Sequence, residues 1–242
     1  MGQKLRLPGS LLSVGSEPHP FHTTAIAPVK GLSTANARLN GLLGEDERTR
    51  LAEALFLDLI VKLPRSRCID DVLIVTSDSS VARQAGWFGH KVLVQETDEG
   101  HAEAAAAGAL AAMADGARRV AMLPVDCPML DTDELDAHLG RSPRTALIVP
   151  DRHGSGTNAL MLNPPDLFLP AFGPDSCARH VTRARATGQS FALERVESLA
   201  IDLDTPEDFT LLRDRLLLDP QPAPRTAKVL WQLGDRAQQA AA

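Results

Sequence analysis

Long apolar runs are missing from these 242 residues. None approaches the roughly 18 to 20 residues that a membrane-spanning helix needs, and the first residues lack the charged-then-apolar order of a secretory signal. A membrane-inserted or secreted protein is therefore not expected. Cysteine is scarce: Cys68, Cys127 and Cys177 lie far apart, form no C-x-x-C, and as an odd number cannot all pair within one chain. That usage points to a reducing cytoplasm. Basic residues are also few, 25 Lys and Arg against 31 Asp and Glu, for a formal charge of -6. Too little positive charge is present to neutralise a run of phosphates, so nucleic acid is excluded as a partner, whereas a single nucleotide needs only one or two cations and a metal. The chain has no G-x-x-x-x-G-K-[ST], no G-x-S-x-G, no H-E-x-x-H and no zinc-type cysteine spacing, which sets aside P-loop NTPases, serine hydrolases of the elbow type and zinc enzymes. His22, His90, His101, His138 and His153 are scattered and read as surface residues. No internal repeat is present.

What is present is a 44% hydrophobic composition in a length that suits one domain with end extensions. Residues 1–21 read as an irregular arm, 22–218 as the domain and 219–242 as a C-terminal appendage with an amphipathic stretch at Val229 to Leu233. Within the domain, apolar strand-like runs alternate with helix-length segments. Strands are expected at Thr23 to Val29, Asp71 to Thr76, Lys91 to Gln95, Arg119 to Pro124, Thr145 to Val149, Ala159 to Leu162 and Ser198 to Ile201. Helices are expected at Glu45 to Leu63, Ser79 to Trp87, Ala102 to Ala114, Thr132 to Leu139, Asp175 to Thr187 and from the Asp204-Thr205-Pro206 start to Leu218. This rhythm defines an α/β fold, a mostly parallel sheet with helices on both faces.

Five segments carry chemistry. Met122-Leu123-Pro124-Val125-Asp126-Cys127-Pro128 is an apolar strand delivering a carboxylate at its C-terminal end, the edge where ligands bind in open α/β sheets. Asp126 either ligates Mg²⁺ there or caps the turn into the next helix. Ile201-Asp202-Leu203-Asp204-Thr205-Pro206-Glu207-Asp208 repeats the pattern, and its acids serve either a metal or the start of a helix. Asp151-Arg152-His153-Gly154-Ser155-Gly156-Thr157-Asn158 is a glycine-rich loop suited to close approach of an anion, or an ordinary turn. Phe172-Gly173-Pro174-Asp175-Ser176-Cys177-Ala178-Arg179-His180 runs into a helix whose free N–H groups suit a phosphate or carboxylate, with Arg179 and His180 as added charge or as surface residues. Asp175 reads foremost as the N-cap of that helix. Ala27-Pro28-Val29-Lys30-Gly31, with Arg38 downstream, places two cations in the first strand-to-helix loop, a usual phosphate site.

In this order the five segments resemble the 2-phospho-L-lactate guanylyltransferase family, which includes enzymes acting on phosphoenolpyruvate or 3-phosphoglycerate, over about Thr23 to Leu217. The resemblance rests on P-V-K with A-R-L, L-P-V-D-C-P-M-L, G-T-N-A-L, F-G-P-D-S-C-A-R-H and I-D-L-D-T-P-E-D-F. It implies a Rossmann-like, GT-A-like nucleotidyltransferase domain that joins GMP from GTP to a small phosphorylated carboxylic acid in coenzyme F-420 biosynthesis, with Mg²⁺ as cofactor. It implies Asp126 and Asp204 as metal ligands with Asp202 an alternate, Lys30 and Arg38 on the triphosphate, and Gly100 at the nucleotide. Thr157, Asn158, Gly173, Ser176, Arg179 and His180 would surround the acceptor. Three positions depart from the family: Asn36 and Ala102, where it usually has a lysine and an asparagine, and Asp175, where it normally has glycine. They leave open a different donor or acceptor, or a silent nucleotide-binding protein; a homo-oligomer also stays open.

Overall fold

The structure is a computed structural model that describes residues 21–140 and 145–240. The expected arm over 1–21 lies, apart from Phe21, outside the described residues. Seven strands, β1 (Thr23–Pro28), β2 (Asp71–Thr76), β3 (Lys91–Val94), β4 (Arg119–Met122), β5 (Ala146–Pro150), β6 (Thr157–Leu162) and β7 (Phe191–Leu193), make one sheet in the order β3-β2-β1-β4-β6-β5-β7. All pairings are parallel except those of β6, which runs against both β4 and β5. The reversal follows from chain length: β5 and β6 are joined by a short glycine-rich loop, which permits only an antiparallel return. Its consequence is positional. The start of β6, Thr157 and Asn158, lies at the same sheet edge as the ends of the parallel strands.

Helices α1 (Glu45–Lys62), α2 (Ser79–Trp87), α3 (His101–Ala114), α4 (Thr132–Leu139), α5 (Ser176–Ala186), α6 (Pro206–Leu218) and α7 (Pro224–Ala240) cover the sheet and its C-terminal end. Strand β1 is buried along its whole length, and its alternation splits the core: Ala25 and Ala27 face one apolar cluster with Phe56 and Ile60 of α1, Ile26 the other with Ala105 and Ala109 of α3. The alanines of α3 allow that helix to approach closely, and Gly108 takes this furthest. A Cβ at Gly108 would stand 2.6 Å from Ile26 Cγ2 and 2.9 Å from Val75 Cγ2. Alanine is the better helix former by about 1 kcal/mol, yet forcing the helix off the sheet costs about 1–3 kcal/mol, so Gly108→Ala is expected to destabilise. A urea melt with an unchanged or higher midpoint would contradict this.

Two expectations are corrected. Ser198 to Ile201 is not a strand: Glu197–Leu199 is a 3-10 turn, and Leu199, Ile201 and Leu203 are buried without a ladder partner. The short strand that completes the sheet is instead Phe191–Leu193, a stretch not marked as a strand in the sequence. The segment expected as an appendage supplies α7. There Thr226 donates from N and Oγ1 to the buried Asp58 carboxylate at 2.8 and 2.9 Å, and Ala223 and Leu230 join the core of α1 and α6. No described helix is long and apolar enough to cross a membrane.

Candidate active site

A cavity of about 550 Å³ opens where β1 and β4 end, and residues from all five segments line it. Asp126 and Asp202 are separated by more than seventy positions in the chain but line the same cavity, and Leu203 N–H donates to the Asp126 carbonyl at 2.9 Å and stitches the two segments together. Asn158 adds a second stitch, its amide donating to Leu199 O at 2.6 Å and to Asp202 Oδ1 at 3.5 Å. Asn158, expected to meet substrate, lines the cavity and in addition holds Asp202 in place. Lys62 anchors the turn after Asp126 from below: its ammonium donates to the carbonyls of Pro128 and Leu130 at 3.0 and 2.7 Å. Burial pushes its pKa down to about 8.

The capping alternatives for the acids can now be decided. The N-cap of α4 is Asp131, which accepts from Glu134 N–H, so Asp126 caps nothing. The N-cap of α6 is Thr205, in a reciprocal box with Asp208, so Asp204 is not the cap. Both carboxylates therefore remain on the cavity wall. Burial, then the charges of Asp202 and Asp204, push the Asp126 pKa up to about 7. Asp202 is raised too, by burial and next by Asp204. The long Asn158 contact to Asp202 and the exposed Arg38 partner of Asp204 do not offset this crowding of three acids, and a cation is the natural remedy. Among the described residues no three carboxylate, imidazole or thiolate side chains stand close enough to share one ion as placed. Mg²⁺ asks for less, usually one or two carboxylates plus substrate phosphates, so the hard-oxygen set of Asp126, Asp202 and Asp204 fits it.

Two cations line the same cavity. Lys30 has no hydrogen-bonded or ion-pair partner among the described residues and lines the wall. Arg38 pairs with Asp204 at 2.5 Å, yet its side chain is 70% exposed, and such exposed pairs are worth about 0–1 kcal/mol. A multiply charged phosphate group can draw it away. Asn36, where the family resemblance expects a lysine, also lines this cavity, and its Nδ2 is buried without a hydrogen-bond partner.

The glycine loop is built differently from the expectation. Its N–H groups do not wait for a ligand anion, because Ser155 N and Gly156 N donate to the Asp151 carboxylate at 3.0 and 2.9 Å. A Cβ at Gly156 would stand 2.7 Å from Asp151 Oδ2, which is why glycine is needed there. Asp151 is thus the anchor of the loop. The carboxylate-before-glycine pattern was the readable signal.

In the second loop, Gly173 and Ser176 line the cavity, but Arg179 and His180 do not. The guanidinium of Arg179 braces the loop through the carbonyls of Ala171 and Phe172. His180 is fully buried between Thr157 and Ala171, bonded to both. The N-cap reading of Asp175 is also corrected: it occupies that position at φ 53°, ψ 26°, and its side chain makes no capping hydrogen bond. It lines the cavity instead. His101, read as a surface residue, is half-buried at the passage between this cavity and a narrower recess. The recess is walled by Ser77, Gln95, Asp98 and Gly100, which places Gly100 beside the site. The His101 ring meets Phe172 edge-on at 4.9 Å.

An open Rossmann-like sheet with carboxylates, cations and two small-residue loops gathered at its switch point defines a nucleotidyltransferase architecture. The likeness extends to a solved structure from Desulfovibrio desulfuricans proposed as a nucleotide-diphospho-sugar transferase, at a TM-score of 0.73 and 19% identity over 90% of this chain and 97% of that one. The family model "Guanylyl transferase CofC like" matches residues 23–213, and the chain belongs to that family. It is 42% identical to the phosphoenolpyruvate guanylyltransferase of Conexibacter woesei over 87% of this chain and 96% of that one. With the 3-phospho-D-glycerate guanylyltransferase of Phenylobacterium zucineum it shares 37% identity, over 76% and 86% of the two chains. The protein is accordingly an enzyme, a guanylyltransferase.

Proposed function

We propose that this enzyme moves GMP from GTP onto the phosphate of a small phosphorylated carboxylic acid, with release of pyrophosphate and Mg²⁺ as cofactor, in coenzyme F-420 biosynthesis. The observation that carries the reading is the single cavity that Asp126, Asp202 and Asp204 line together with Lys30 and Arg38, beside the small-residue loop of Gly173 and Ser176. An acceptor phosphate oxygen attacks the α-phosphorus, and the bond from that phosphorus to the bridging oxygen breaks, its electron pair leaving with pyrophosphate. The nucleophile is already anionic. No general base is therefore needed, and catalysis rests on alignment and on charge stabilisation, each worth several kcal/mol in order of magnitude.

Lys30 and Arg38 hold the triphosphate. Thr157, Gly173 and Ser176 receive the acceptor. Bound Mg²⁺, held by Asp126 with Asp204 or Asp202, supplies neutralisation of the phosphate charge. A cytoplasmic setting agrees with this substrate pair and with cysteines that are all free and buried. The test is mass spectrometry of the products after incubation with GTP, Mg²⁺ and, separately, phosphoenolpyruvate, 3-phosphoglycerate and 2-phospho-L-lactate. Phosphoenolpyruvate comes first because the relative at 42% identity carries its name. A GMP-capped acid and pyrophosphate are expected. Turnover with another nucleotide only, or none with any acid, would overturn the reading.

A further inference from the structure

His180 is a buried titratable side chain that this chemistry leaves without a task. It lies on α5 with 0% exposure, wedged between two aromatic rings, Phe172 edge-on at 5.1 Å and Phe168 tilted at 6.3 Å, so its ring plane is fixed. Each ring nitrogen has one partner. Nε2 lies 2.8 Å from the backbone N–H of Ala171, and Nδ1 lies 2.9 Å from Thr157 Oγ1. The first bond has only one possible direction: a backbone N–H donates, so Nε2 accepts and carries no proton. Burial, then the nearby charges of Arg183 and Arg179, push the pKa down to about 4, so the ring is neutral and its one proton is on Nδ1. Nδ1–H therefore donates to Thr157 Oγ1. The hydroxyl, having received a hydrogen bond, has its own proton left to give, and Thr157 lines the cavity.

We propose that His180 is a positioning residue that sets Thr157 as a hydrogen-bond donor, so that the hydroxyl proton is kept for an acceptor oxygen of the ligand, a carboxylate or phosphate oxygen of the acid substrate. The inference rests on the guanylyl-transfer reading for the identity of the ligand, but the proton on Nδ1 can be tested without it.

The experiment has two arms. In the first, long-range ¹H–¹⁵N spectra of the labelled protein at pH 7 are assigned by the signal lost in His180→Gln. A protonated Nδ1 and a bare Nε2 are expected; the opposite tautomer or a doubly protonated ring overturns the proposal. In the second, KM for phosphoenolpyruvate and for GTP are measured separately. Glutamine can accept from Ala171 and donate to Thr157, so His180→Gln is expected to keep the acceptor KM within about threefold. His180→Leu leaves the hydroxyl unoriented and is expected to raise it about tenfold, the scale of one hydrogen bond to a charged oxygen, with the GTP value unchanged. The double variant Thr157→Val/His180→Leu should be no worse than Thr157→Val alone. Additive losses, or a loss shared equally by GTP, would show a merely structural role and overturn the proposal. Should His180→Leu fail to fold, the glutamine variant and the spectrum still decide. If the wild-type protein takes no phosphorylated acid at all, the functional reading falls and the subsite assignment with it; normal turnover with the wrong tautomer sinks this inference alone.

Discussion

Asp126→Asn is expected to lower turnover by at least about a hundredfold while leaving the fold intact. The amide has the shape of the carboxylate but not its charge, and a charged ligand and fixed electrostatics at the transferring phosphate are each worth several kcal/mol in order of magnitude. Asp126 caps no helix, so its replacement should unravel nothing. The fold should even gain. With its pKa pushed up to about 7, Asp126 binds a proton in the folded state that an unfolded carboxyl releases near its ordinary value. Between those two values the folded state holds more protons, so stability falls as pH rises through that window, and a buried charge with the like charges of Asp202 and Asp204 beside it is the burden that remains above it. Asparagine removes that burden. Thermal melts should therefore show Asp126→Asn equal to wild type near pH 4 and more stable at pH 8. The same proton competes with a divalent cation, so the Mg²⁺ concentration giving half-maximal wild-type rate should rise as pH drops below about 7. A folded Asp126→Asn variant with wild-type turnover would remove this carboxylate from the reaction.

How Asp126 comes to matter was only half readable in the sequence. An apolar run ending in Leu-Pro-Val-Asp announces a buried strand with an acid at its C-terminal end, and Ile-Asp-Leu-Asp announces acids again; period and polarity suffice for that. Their meeting depends on one hydrogen bond between the backbones of Leu203 and Asp126 and on the Asn158 amide, and no local pattern encodes either. The alternation Leu199, Ile201, Leu203 has the period of a strand but packs without a ladder partner, because burial and pairing are separate requirements and the sequence displays only the first. Helix α7 was obscured for the opposite reason. The Pro-rich stretch after Asp219 marks a break, and the break is real, yet Pro224 is a sound first-turn residue and Asp58 on α1 waits to receive Thr226. His101 could be recognised as a site residue only once β2, β3 and the loop at Phe172 were in place around it.

Asp175→Gly is expected to lower the acceptor KM by about tenfold. The sequence favoured a capping carboxylate, and Pro-Asp-Ser before a helical run is good chemistry for one. The backbone decides otherwise: at φ 53° and ψ 26° the side chain is turned from the N–H groups of α5 and placed on the cavity wall beside Gly173 and Ser176. Glycine, which the family resemblance puts here, adopts that left-handed conformation freely, whereas aspartate is among the few other residues that tolerate it. Tolerance limits the stability gain, since glycine also adds entropy to the unfolded chain; the two nearly cancel, and the change should stay within about 1 kcal/mol. Charge has the larger effect. Two like unit charges about 4 Å apart at an effective dielectric near 20 repel by roughly 4 kcal/mol, and solvent screening at this exposed residue cuts that to about the 1.4 kcal/mol that corresponds to a factor of ten. Asp175→Asn separates the two contributions, because it keeps the left-handed preference and loses only the charge. Both variants should lower the acceptor KM alike, more at low ionic strength than at high, and leave the GTP value unchanged. If glycine alone improved it, backbone strain in the acceptor loop would be the cause; if neither did, the acceptor's negative groups would have to lie on the far side of the cavity, toward Lys30 and Arg38.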